Sequence, residues 1–196
     1  MIGSTVDYVI TNVDREGEVA LGSRTLAMVK RRRAFINGNR RAKPGDIVPC
    51  SVLVVGPMRC LLTCGGYDVP MRSPDMSYSS ILDLRELYRP GQELKARVMD
   101  HKPAEGRLKL SVKEASPNPF DGAERRHPVG SRRQAVITGK YGGGVFCTLQ
   151  DGTLCMCLYS NSHYDSDFLL GDSVIVHISQ YYYRQKHIYG RIVSKW

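Results

Sequence analysis

Two kinds of side chain recur together toward the C-terminal end of this sequence: flat rings and fixed cations. Lys140 and Tyr141 open a run that continues Gly142-Gly143-Gly144, Phe146 follows it, and Tyr159 ends the next apolar stretch. Farther on, Tyr181-Tyr182-Tyr183-Arg184-Gln185-Lys186-His187 groups three rings with two fixed cations. Rings stack on unpaired bases and cations hold phosphates, so a single nucleic-acid strand requires both at once. Three consecutive tyrosines cannot all face one core. The competing reading of that loop is a wide hairpin whose tyrosines cap a barrel end. A thinner set, Arg59, Tyr67 and Arg72 with Lys95 and Arg97, lies mid-chain. For these residues a solvated strand face is an equal reading.

Other chemistry finds little support. His101, His127, His163, His177 and His187 fall in no HExxH or Ser-His-Asp arrangement, and Gly142-Gly143-Gly144 lacks the Lys-Ser/Thr of a nucleotide-binding loop. Asp83 and Glu86 are more simply partners for Arg85 or Arg89. The six cysteines, Cys50, Cys60, Cys64, Cys147, Cys155 and Cys157, contain no Cys-x-x-Cys pair and no Cys-His spacing of the zinc kind. They read as buried small apolar residues, with no metal and no disulfide expected. No catalytic residue and no cofactor is assigned.

The net charge of +9 favours a polyanionic partner, nucleic acid ahead of an anionic membrane. No run approaches the ~18 apolar residues of a membrane helix. The opening MIGSTVDYVI lacks the cationic start and apolar core of a signal peptide. The expectation is a soluble, cytoplasmic protein without a membrane partner.

The elements that must position these residues are strands. In Tyr88 to Ala115, Arg89-Pro90-Gly91 is a turn, after which Leu94, Ala96 and Val98 alternate with Lys95 and Arg97. Lys102 to Gly106 breaks the pattern, and Leu108, Leu110 and Val112 then alternate with Arg107, Lys109 and Ser111. Period-two alternation on both sides of a turn is an antiparallel hairpin. The same device recurs in residues 6–23 and 171–193, which suggests an array of small β domains. Ahead of the central hairpin, strands are predicted at 47–55, 59–63 and 67–72, then a short helix at 81–88. Five strands with a helix between the third and fourth is the order of an OB-fold barrel. The pattern restarts with strands at 134–138, 145–149 and 153–159, a crossover from Asn161 to Leu170 plugged by Phe168 and Leu169, and the last hairpin. Residues 6–23 supply two strands and no third, and the stretch Arg24 to Lys43, with Arg40 and Arg41 among its cations, contains no acid. It reads either as a solvated connector helix or as a phosphate-contacting arm.

With those residues in view, the chain resembles the S1-type RNA-binding domain family. Residues 129–196 carry Gly130, Tyr141-Gly142, Phe146-Cys147-Thr148-Leu149, Asp151-Gly152 and Gly171-Asp172 in the family's order. Residues 44–115 carry Pro44-Gly45-Asp46, Pro90-Gly91, Gly106-Arg107-Leu108-Lys109-Leu110-Ser111 and Lys113. The middle domain departs from the pattern: Met58, Cys60 and Leu61 stand where the family has aromatics, and Arg72 where it has a histidine. The resemblance implies an all-β fold with short helices, in tandem five-stranded OB-fold barrels of the S1 type. It divides the chain into a closing hairpin of a preceding S1-like domain plus basic connector (1–43), an S1-like barrel (44–116), a linker (117–128) and an S1-type barrel (129–196). It implies binding of single-stranded RNA, mRNA in translation, near the small ribosomal subunit. The contacts expected are Lys140, Tyr141, Phe146, Tyr159, Tyr182, Arg184 and Lys186, with Arg59, Tyr67 and Arg72 in the middle domain. The alternatives are a protein-interaction module docking on ribosomal or transcription proteins, and a single-stranded DNA binder.

Overall fold

The computed structural model describes residues 3–38, 42–79, 81–159 and 164–195. Arg40 and Arg41 of the basic stretch, the start of the crossover at Asn161, and His163 lie outside the described residues. The chain divides into two units, residues 1–76 with 83–116, and residues 77–82 with 117–196.

The first unit opens with a two-stranded hairpin, β1 (Val9–Asp14) and β2 (Val19–Ser23). Two strands cannot enclose a core, and nearly every residue of the pair is exposed. Helix α1 (Arg24–Asn37) follows at once, with the Ser23 hydroxyl accepting the Leu26 N–H at 3.3 Å as its cap. Gly38 ends it.

The first barrel comprises β3 (Ile47–Val55), β4 (Arg59–Cys64), β5 (Tyr67–Arg72), β6 (Glu93–Lys102) and β7 (Arg107–Ser111). Of the helix expected at 81–88 only a single 3-10 turn (Leu84–Glu86) forms, and a short helix α2 (Ser73–Met76) precedes it after β5. Val52, Leu62, Leu84, Ala96, Val98 and Leu110 are almost wholly buried in its core. Helix α1 docks on the β4–β5 turn. There Gly66 has φ +82, and a Cβ on it would lie 2.4 Å from the Arg32 backbone nitrogen, so only glycine admits the helix. The Arg32 guanidinium donates to the Gly66 carbonyl and lies 4.4 Å above the Tyr67 ring.

The second barrel is closed: β8 (Arg132–Tyr141), β9 (Gly144–Leu149), β10 (Leu154–Leu158), β11 (Ser173–Tyr182) and β12 (His187–Lys195), in the order β10-β12-β11-β8-β9. A parallel ladder from Cys155↔Ile188 to Leu158↔Arg191 makes the closure. In the first barrel the sheet runs β5-β4-β3-β6-β7, with β5 and β7 close but not laddered. Pro70 stands in β5 opposite Leu61, where Met156 stands in β10 opposite Phe146. Proline fits that register only with its nitrogen turned away from β4, so the missing N–H falls on the edge toward β7.

Two sequence expectations need correcting here. Residues 117–128 are not a free linker: Phe120 and Ala123, the latter in the short helix α3 (Ala123–Arg126), belong to the second core, and the Tyr181 hydroxyl donates to the His127 carbonyl at 2.7 Å. The prolines disguised a segment that packs through one ring. Of the expected plug, Phe168 is fully buried, while Leu169 is 65% exposed.

Candidate nucleic-acid interface

Strand alternation decides which side chains a barrel shows to solvent. On β9, Val145, Cys147 and Leu149 point inward, which leaves Phe146 and Thr148 outside. Phe146 is half-buried on that outer face and is not part of the core. Its neighbour on β8 is Gly139; a Cβ there would come within 3.2 Å of the ring, so glycine makes room for it.

From Phe146 a continuous apolar stripe crosses the barrel. Tyr141 lies 4.9 Å from Phe146 between ring centroids. Phe146 is register partner to Met156 on β10, and Met156 to Tyr189 on β12. Tyr189 lies 4.7 Å from Tyr182, on β11. The five side chains come one from each of the five strands. Tyr141, Phe146 and Tyr182 were legible in the sequence; Met156 and Tyr189 were not. Their signal was the outward parity of their strands, which becomes usable only once the register is known. Burial raises the Tyr141 pKa, helped by nearby Cys157 and Tyr189, so its hydroxyl stays protonated. Burial also lowers the His187 pKa from its ordinary value.

The tyrosine run divides as its spacing requires. Tyr181 points inward, Tyr182 joins the stripe, and Tyr183 donates to Glu124 while meeting Phe120 edge-on at 6.0 Å. Thus Tyr181 and Tyr183 pack at the barrel end, and Tyr182 is left on the outer face.

Four expected contacts are differently placed. Tyr159 stacks on Phe168, 5.5 Å away and nearly parallel, and its hydroxyl donates to Asp165. Burial and that bond raise its pKa, and Asp165 is held below the usual carboxylate range by Tyr159 and then Lys140. Lys140 is ion-paired to Asp165 at 3.2 Å, and Lys186 to Asp121 at 3.4 Å. By register the two lysines sit at opposite ends of the barrel: the β8–β9 turn beside Leu158, the β11–β12 turn toward Cys155. Arg184, in the β11–β12 turn, is exposed and has no ion-pair partner among the described residues. Tyr67 is 2% exposed, with its hydroxyl 3.2 Å from His101 Nε2 and Arg32 over its ring, so it cannot receive a base. The sequence misplaced it because a strand of alternating pattern does not say which parity faces in.

In the first barrel Arg59 and Arg72 are exposed and directly opposite each other across β4 and β5. Around them the outward residues are Leu61, Thr63, Asp68 and Pro70, with no ring, and Asp68 is held by Arg24 at 2.8 Å. The six cysteines are buried free thiols. Burial raises Cys50 and Cys60 to about 11 and Cys64 to about 12, far from nucleophilic use. No helix among the described residues is long and apolar enough to cross a membrane.

The walls differ in charge as well. Strands β8 to β12 contain no Asp or Glu at all. The carboxylates of this unit sit at the ends, as Asp121, Glu124, Asp151, Asp165, Asp167 and Asp172.

No family model matches the chain. Curated relatives include proteins named small ribosomal subunit protein bS1. That of Chlamydia trachomatis is 26% identical over 154 residues, covering 77% of this chain and 26% of its own. That of Rhizobium meliloti is 21% identical over 181 residues, covering 92% of this chain and 28% of its own. The chain thus spans about a quarter of the length of the relatives it matches. Among solved structures, the a/eIF2alpha–aDim2p–rRNA complex from Pyrococcus horikoshii OT3 aligns with a TM-score of 0.35 and 18% identity, over 43% of this chain and 52% of the matched one. Sequence motifs and relatives agree in their similarity to bS1 proteins, and the strand order is that of tandem five-stranded OB-fold barrels.

Proposed function

We propose that the second barrel binds single-stranded RNA across the outer face of β9, β10 and β12, and that the chain acts in translation, on mRNA at the small ribosomal subunit in the cytoplasm. The observation that carries this reading is the stripe Tyr141–Phe146–Met156–Tyr189–Tyr182 on a wall free of carboxylates. Stacking on such rings is worth about 1–3 kcal/mol per base and tolerates any sequence. An acid-free wall leaves phosphates unopposed. The first barrel, with cations and no outward ring on the matching strands, contributes charge rather than base contact. The bS1 name of the relatives supports the ribosomal setting.

The domain reading follows the same logic. Residues 44–116 and 129–196 are the two S1-like barrels, and residues 1–43 repeat the device that closes the first. In both places a strand ends in a serine whose hydroxyl accepts a backbone N–H three residues on: Leu26 for Ser23, and Glu114, at 3.4 Å, for Ser111.

Fluorescence anisotropy tests the proposal, with a labelled oligouridine and its DNA counterpart at two salt concentrations. RNA binding should weaken with salt, and Phe146→Ala and Tyr189→Ala should each weaken it roughly five- to a hundredfold. Unchanged affinity in both variants would overturn the interface. Equal binding of DNA would widen the ligand class to any single strand.

A further inference from the structure

Beside the stripe lies a second feature that ring stacking does not use. His177 on β11 is the direct register partner of Arg132 on β8 and of Arg191 on β12. All three have outward parity: Ala135 and Ile137 point inward on β8, Val176 and Ile178 on β11, and Ile188 and Ile192 on β12. Three basic residues therefore stand side by side across three strands. Other cations of this unit are neutralised: Arg126 by Asp151, Lys140 by Asp165, Lys186 by Asp121 and Lys195 by Asp172. Arg132, His177 and Arg191 have no ion-pair partner among the described residues, and their strands contain no carboxylate.

The fold does not require this row. At the same register the first barrel has Ile47, Arg97 and Ser111, and Arg97 is committed to the carbonyls of Gly45 and Glu114. The row also adjoins the stripe: Tyr189 and Arg191 share the outer face of β12, and Leu158 pairs with Arg191 across the closing ladder. An extended anion leaving the rings at Tyr189 meets Arg191 next, then His177, then Arg132.

We infer that Arg132, His177 and Arg191 form a phosphate track that carries a single RNA strand beyond the rings, round β12 and β11 to β8. This rests on the stripe being the base-stacking face, and it sets the length of strand that the barrel holds. The rings alone seat a short oligomer, and the track adds backbone contacts without base contacts.

The test compares oligouridines of about four and about sixteen nucleotides, the two ends of the range of site sizes for one OB-fold, on the full chain. Arg132→Gln with Arg191→Gln should weaken the long probe on the order of tenfold and reduce its log–log salt slope by about 0.7 for each arginine. The short probe should bind as before. Arg191→Lys should retain long-probe affinity, and the melting curve of the double variant should match that of the wild type. Long-probe affinity and slope equal to wild type would overturn the track. So would an equal loss for the short probe, because the arginines would then belong to the stacking face. A loss of binding to polyglutamate, with none to RNA, would assign the row to an acidic protein instead. Failure of the base-stacking reading looks different: Phe146→Ala would leave the short probe unaffected while the arginine variants still weakened the long one.

Discussion

The two barrels share a register, and their differences can be taken position by position. A bulge in β3 after Val52 matches one in β8 after Ile137, which makes Leu61 the counterpart of Phe146, and Val54 that of Gly139. By the same ladders Pro70 stands for Met156, Lys109 for Tyr189 and Lys102 for Tyr182. Four of the five stripe positions are thus held in the first barrel by two aliphatic residues and two lysines. Asp100, held by Arg107 at 3.0 Å, occupies the place of Gln180. One backbone plan carries two surfaces, because the inward parity fixes the fold and leaves the outward parity to be spent on ligands or on solvation.

The sharpest way to break this comparison is to exchange inside for outside. Tyr67 is an inward ring and Phe146 an outward one. Tyr67→Ala should therefore cost the first unit about 3–5 kcal/mol of stability, as a buried ring does, measured by urea denaturation followed by circular dichroism. RNA affinity of the folded protein should hold. A stable Tyr67→Ala protein that had lost RNA binding would mean that the inward and outward parities of β5 are reversed.

The seam comes next in size. Met156→Pro would give the second barrel the proline of the first, removing a donor from the β10–β12 ladder at a cost of about 1–3 kcal/mol. Hydrogen exchange should then quicken in β12 around Tyr189 while β9 keeps its protection. If β12 exchanged no faster, the seam of the first barrel would owe its unladdered state to something other than Pro70.

Much of this was legible in the sequence, for a physical reason in each case. The strands at 47–55 and 67–72 could be bounded because a Gly-Pro turn closes the first and a Gly-Gly turn opens the second. Helix α1 could be ended because Asn37-Gly38 stops it. Phe146, Tyr141 and Tyr182 could be singled out because ring and cation types were concentrated there. Tyr189, Met156 and the row Arg132–His177–Arg191 could not, because cross-strand partners are set by register, and a one-residue slip inverts every side chain. Residues 117–128 were misread because Phe120 gives no periodic signal: one ring anchors the segment, not a repeating face.

At the level of binding, Phe146→Ala should weaken RNA affinity by about 1–3 kcal/mol with little change in melting temperature, since the ring is outside the core. Its counterpart Leu61→Ala should change RNA affinity less than about twofold. Parallel titrations of the two variants measure the difference directly. Equal losses would mean that both barrels stack bases and that the charge difference between their walls is incidental.

The smallest expected effect separates paired cations from unpaired ones. Lys140 already faces the carboxylate of Asp165, an exposed pair that water screens and that contributes little to stability. A phosphate near it must compete with that carboxylate. Arg184 has no such partner among the described residues. If net unopposed charge makes the second barrel the RNA binder, Arg184→Ala should reduce the log–log salt slope by about 0.7, as one lost single-strand phosphate contact does. Lys140→Ala should leave the slope nearly unchanged. Asp165→Asn should then act in the opposite direction: it frees Lys140, steepens the salt dependence and tightens binding, while Tyr159 keeps a hydrogen-bond acceptor in the amide. A slope that fell equally for Lys140→Ala and Arg184→Ala would show that RNA displaces Asp165 from its lysine. The ion pairs at the barrel ends would then be a reserve of phosphate sites, and the contrast with the first barrel would rest on the rings alone.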